Sequence, residues 1–109
     1  MVKRRPPVWD DPFAVYLRDQ LCALDGLVWR PMFGSLGLYQ HGAFCGIVHD
    51  GRFFLRTDER TRPAFVRRGM APFQPSPRQT LKNYYEVPAD ILDDATALVE
   101  WVVRAAERE

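Results

Sequence analysis

Two dipeptides, His41-Gly42 and Asp50-Gly51, constrain this chain most, because each sits inside an apolar run whose alternation has the period of a strand. Two-residue loops of the Xaa-Gly kind close antiparallel hairpins and set the register of the strands they join. With Asp50-Gly51 as a loop, His49 faces Arg52, Val48 faces Phe53, Ile47 faces Phe54, Gly46 faces Leu55 and Cys45 faces Arg56. With His41-Gly42 as a loop, Gln40 faces Ala43, Tyr39 faces Phe44, Leu38 faces Cys45, Gly37 faces Gly46 and Leu36 faces Ile47. The strand-like run from Leu27 to Arg56 therefore reads as a three-stranded meander.

Strict alternation sorts its side chains into two faces. Tyr39, Phe44, Val48, Phe53 and Leu55 surround the pair Gly37 and Gly46, whose missing side chains leave a notch for a helix, the N-terminal one being the natural occupant. Leu36, Leu38, Ala43, Cys45, Ile47 and Phe54, mixed with Arg52 and Arg56, form the other face. Both faces are apolar and need cover. Left open, the second face predicts a homodimer or another partner seated on Leu36, Ile47 and Phe54.

Around the meander the period changes to that of helices. Asp11 as N-cap with Pro12 at the first helical position starts a helix that runs to about Leu24, where Asp25-Gly26 stops it, and Phe13, Tyr16, Leu17, Leu21 and Leu24 form its buried stripe. Thr57 to Thr61 supply caps and acids for a short helix that tolerates Pro63 near its start, turns Phe65 and Val66 inward and ends at Gly69. Phe73 to Pro77 is broken by prolines and suits an edge strand, Leu81 to Val87 a better strand closed by Pro88. A last helical region carries Ile91, Ala95, Leu98, Val102 and Ala105, broadened by Trp101, with Asp90, Asp93 and Asp94 near its start. Residues 1–8 read as a flexible basic arm ended by Trp9, and 9–109 as a single domain.

A chain of 109 residues that is 47% hydrophobic builds one core, and 15 Lys+Arg against 14 Asp+Glu exclude the overall positive charge of a dedicated nucleic-acid binder. No apolar run is long enough to span a bilayer, and Lys3-Arg4-Arg5 runs into Pro6-Pro7, so a cytoplasmic location is expected. Cys22 and Cys45 have no paired spacing and are expected as thiols. His41, Cys45 and His49 would share a face on a helix, yet on a strand residues four apart lie roughly 13 Å from each other, which argues against a shared metal ion and a Cys45–His49 catalytic pair and leaves open only a tertiary contact of Cys22 with either histidine. The carboxylate pairs Asp10-Asp11 and Asp93-Asp94 stand at helix starts, where capping explains them. No phosphate loop, dinucleotide fingerprint or nucleophile elbow is present, so no cofactor, metal or catalytic residue is expected. Arg52, Arg56, Arg60, Arg62, Arg67 and Arg68 can form a basic surface, and a nucleic-acid contact through it is the alternative to a protein partner; an enzyme is the weakest reading.

Met32-Phe33-Gly34-Ser35-Leu36-Gly37-Leu38-Tyr39, Asp50 to Asp58, Thr61 to Phe65 and Tyr84-Tyr85-Glu86-Val87-Pro88, in that order, resemble the N-terminal domain of the TfoX/Sxy family of bacterial competence regulators. Within it Met32, Phe33, Gly34, Gly37, Leu38 and Tyr39, with Gly46 and Gly51, are the structural motif. The resemblance implies a two-layer α+β fold of the secretion-chaperone-like kind, an antiparallel sheet with helices in the order α-β-β-β-α-β-β-α, in agreement with the order read from turns and periods. It also implies a non-enzymatic regulator of DNA-uptake genes that works with the cyclic-AMP receptor protein or RNA polymerase. The family's glycine pair after Met-Phe is here Gly34-Ser35, and Leu36 stands where an aromatic is common. Longer members carry a second helical domain that this sequence lacks, so the expectation is a stand-alone domain acting by protein contact.

Overall fold

The computed structural model describes residues 11–32 and 34–107. The expected arm, the Trp9 anchor, Asp10 and Phe33 lie outside the described residues. The fold is α+β: α1 (Pro12–Gln20), β1 (Leu27–Met32), β2 (Ser35–Gln40), β3 (Ala43–His49), β4 (Arg52–Arg56), α2 (Arg62–Arg67), β5 (Pro72–Ser76), β6 (Gln79–Glu86), α3 (Ala89–Leu92) and α4 (Ala95–Ala106). The six strands form one antiparallel sheet in the order β1-β2-β3-β4-β6-β5. Within the expected succession of elements, Leu27–Met32 is resolved as a separate leading strand, and the last helical region divides between Leu92 and Ala95. Both edge strands contain proline, Pro31 in β1 and Pro72 and Pro75 in β5, which removes ladder donors where another chain could add a strand. Among the described residues no helix is long and apolar enough to cross a membrane.

The β3–β4 register agrees with the two-residue loop at Asp50-Gly51, from Gly46 opposite Leu55 to His49 opposite Arg52. The β2–β3 register agrees only for Gln40 opposite Ala43 and Tyr39 opposite Phe44. Beyond Tyr39 the ladder shifts, so Leu38 faces Gly46, Gly37 faces Ile47 and Leu36 faces Val48. Cys45 is the extra residue of a β-bulge, and its thiol reaches the Leu38 carbonyl at 3.5 Å. The expected Gly37–Gly46 notch is therefore corrected.

A one-residue slip exchanges faces, and the bulge joins each half of the meander to the other half's face. Leu36, Leu38, Cys45, Val48, Phe53 and Leu55 share one buried cluster with Ala14, Leu17 and Leu98, whereas Ile47 and Phe54 join Phe73 in a second. Leu36, Ile47 and Phe54 thus do not form one surface: Leu36 is wholly buried beneath the helices, and Ile47 and Phe54 are buried on the opposite side. The helix over β2, β3 and β4 is α4 rather than α1. On the second side the sheet curls, since Phe73 of β5 stacks on Phe54 of β4 at 4.3 Å between ring centroids although β6 separates the two strands.

The helix ends follow local chemistry. The Asp11 carboxylate accepts from the Phe13 N–H at 3.0 Å and that of Asp94 from the Ala97 N–H at 3.1 Å. α1 stops at Gln20 and continues as tight turns to Leu24, and its buried residues are Ala14 and Leu17, followed by Leu21. Tyr16, expected inside, is 40% exposed and donates its hydroxyl to Asp93 at 2.7 Å, a carboxylate hydrogen bond that raises the phenol above its ordinary range. Val66 and Ala95 also point outward, while Phe65, Leu98, Val102 and Ala105 are buried as expected.

Candidate functional site

The loop entering α2 is closed by reciprocal hydrogen bonds between Asp58 and Thr61, the residue that precedes the helix. Asp58 Oδ1 accepts from the backbone N–H groups of Arg60 (2.8 Å) and Thr61 (3.0 Å), and Thr61 Oγ1 accepts from the Asp58 N–H at 3.0 Å. The Thr61 N–H, then the Arg60 side chain, hold the Asp58 carboxyl down at about 2. Arg62 fastens α2 to the sheet, donating through Nε to Thr57 Oγ1 at 3.1 Å and through Nη2 to Asn83 Oδ1 at 3.2 Å.

Held this way, α2 and α4 turn matching faces toward each other: Thr61, Ala64 and Phe65 on one, Trp101, Arg104 and Ala105 on the other. Each set has the i, i+3, i+4 spacing of one helical face. The Phe65 and Trp101 rings meet edge to face at 4.8 Å and form the apolar wall of a cleft of about 120 Å³. Arg56, Arg60, Arg67 and Arg104 line it, and no carboxylate among the described residues does.

Arg60 is the partnered member of the four, 3.1 Å from Asp58 and 3.5 Å from Glu107. Among the described residues Arg56, Arg67 and Arg104 make no ion pair or side-chain hydrogen bond. Guanidinium groups are always charged, and a concave wall concentrates their field on whatever enters.

The expected basic surface is therefore brought together only in part. Arg56, Arg60 and Arg67 converge on the cleft. Arg52 is turned to Glu86 at 3.1 Å, Arg62 to Thr57 and Asn83, and Arg68 to Asp90, with Arg68 Cζ 5.6 Å over the Trp101 ring. The cleft adds Arg104 and the Trp101 wall to the expected arginines, and the i, i+3 spacing of these two residues on the final helix is the sequence signal that carries them. Among the described residues, Met32, Gly34, Gly37, Leu38, Tyr39, Gly46 and Gly51 take no part in the cleft. Gly34 and Gly51 adopt left-handed φ values of 81° and 73° at turns, Gly46 lies beneath Phe53, and the Met32 sulfur packs beside Gly37.

His41, Cys45 and His49 are dispersed. His41 covers Gly26, Cys45 is buried on the helix side, and His49 contacts Phe73 on the other side at 5.3 Å. His49 Nδ1 lies 2.6 Å from Ser35 Oγ, a Ser–His contact that the bulge creates by moving the β2 register one position. No carboxylate among the described residues hydrogen-bonds this ring. No three metal-ligating side chains converge among the described residues. Neither cysteine is in a disulfide: Cys22 is exposed and Cys45 buried.

No curated protein matches the chain. A family model of the TfoX N-terminal domain matches residues 19–108, a span that contains the whole sheet, the Asp58–Thr61 turn and every residue of the arginine-lined cleft. The chain belongs to the TfoX N-terminal domain family.

Proposed function

We propose that this domain is a non-enzymatic regulator in the control of DNA-uptake genes and that it works in the cytoplasm by contact with another protein. The family match over residues 19–108 carries this reading. Its geometric support is the cleft between α2 and α4, where guanidinium groups without acidic partners among the described residues adjoin Phe65 and Trp101. Arginine and tryptophan are the side chains that most often dominate protein contacts, because they combine apolar area with directed charge. The partner is RNA polymerase or the cyclic-AMP receptor protein, and the cleft is where it docks. Equilibrium binding of the purified chain to each protein tests the reading. Binding that weakens with Arg67→Gln and Arg104→Gln supports it, and no measurable binding to either protein at low salt counts against it.

A further inference from the structure

We infer that the cleft between α2 and α4 is a binding site for a phosphate monoester. The inference rests on reading this cleft as the working site of the domain, and not on which genes or partner the domain serves.

Charge supports this first. Three guanidinium groups, Arg56, Arg67 and Arg104, face the cleft without an acidic partner among the described residues, and a fourth, Arg60, is shared with Asp58 and Glu107. A carboxylate would offset one of the three charges. A phosphate monoester carries about −1.5 to −2 at neutral pH and three acceptor oxygens, which suit planar guanidinium forks that bind in pairs.

Shape and isolation decide between one phosphoryl group and a polyanion. The cleft is a single concavity of about 120 Å³, large enough for one phosphoryl group and the start of its substituent. Nucleic acid needs a row of cations along its backbone. The neighbouring arginines that could extend the row are already engaged, Arg52 with Glu86, Arg62 with Asn83 and Arg68 with Asp90. Among the described residues, the arginines near α2 that make neither an ion pair nor a side-chain hydrogen bond all line the cleft. Phe65 and Trp101 then favour a monoester with an apolar or aromatic substituent over the bare ion.

Such a group can belong to a small molecule or to a phosphorylated side chain, and one titration separates the two. The purified full chain is titrated at low salt with phenyl phosphate, inorganic phosphate, a phosphoserine peptide and a short DNA duplex, with tryptophan fluorescence as readout. Saturable binding of phenyl phosphate, tighter than that of inorganic phosphate, is expected. Arg67→Gln and Arg104→Gln should each weaken it at least about tenfold. Arg78→Gln, in the β5–β6 turn, should leave it unchanged. Both cleft arginines are exposed, so their variants retain the fold, which circular dichroism verifies. A peptide that binds more tightly than phenyl phosphate assigns the site to phosphoproteins, and the reverse order assigns it to small monoesters; either supports the inference. It is overturned if neither phenyl phosphate nor the peptide saturates, if both cleft variants bind like the wild type, or if the duplex binds most tightly and Arg78→Gln weakens it equally. Failure of the protein-partner experiment leaves this result standing, and the converse also holds.

Discussion

Leu38 faces Gly46 across the β2–β3 ladder, one position out of the step set by Tyr39 and Phe44. That single displacement places Leu36 and Leu38 on the same side as Val48, Phe53 and Leu55, so that one continuous apolar layer lies under α4. Gly46 lies against the Phe53 ring, which leaves no room for a side chain there.

A methyl group at Gly46 would lie 2.8 Å from Phe53 Cε1 and 3.2 Å from the Phe54 carbonyl oxygen. Phe53 is wholly buried and Phe54 O is backbone, so neither can retreat easily. Gly46→Ala is expected to cost about 1–3 kcal/mol in urea unfolding. Gly37→Ala should cost less, because one of its nearest neighbours, at 3.1 Å, is the flexible Met32 side chain.

The Asp58 carboxyl titrates at about 2 in the fold against 3.8 ordinarily. A depressed acid adds stability that is complete above its unfolded value and is lost as pH falls through the folded one. Asp58→Asn, which keeps an oxygen for the Thr61 N–H, should therefore flatten the acid limb of stability between 3.8 and about 2. Thermal unfolding at stepped pH measures it, and an unchanged acid limb would refute the capping role of the charge.

Neighbouring residues on α2 should behave oppositely. Phe65 is 3% exposed against Trp101, so Phe65→Ala should cost about 3–5 kcal/mol and shift tryptophan emission. Val66 is 56% exposed, and Val66→Ala should change urea stability by no more than about 0.5 kcal/mol.

The two thiols should differ in reactivity. Exposed Cys22 is expected to react with a chromogenic disulfide reagent in the native protein, and buried Cys45 only after denaturant is added. Two equivalents released from the native protein would contradict the burial of the bulge.

Turn chemistry made most of the sheet legible. Asp50-Gly51 dictates the β3–β4 register because a two-residue loop leaves no slack, and the prolines of β5 mark it as an edge. The bulge was not legible, since Cys45 carries neither the glycine nor the proline that signals an irregular strand. Faces read by strict alternation therefore crossed at that residue. Tyr16 and Val66 were misplaced because helical spacing ranks apolar residues without saying where the next element packs. Half of the cleft was readable as a local run of arginines, whereas Arg104 and Trp101 reach it only through the packing of α4 beside α2.

The indole N–H resonances of Trp101 and Trp29 test the cleft most directly, because Trp101 forms its wall and Trp29, partly buried on β1, packs against the core away from it. During a titration with phenyl phosphate, a saturable shift of Trp101 with Trp29 unmoved is the expected result. No shift, or parallel shifts of both resonances that never saturate, would contradict the assignment of the site.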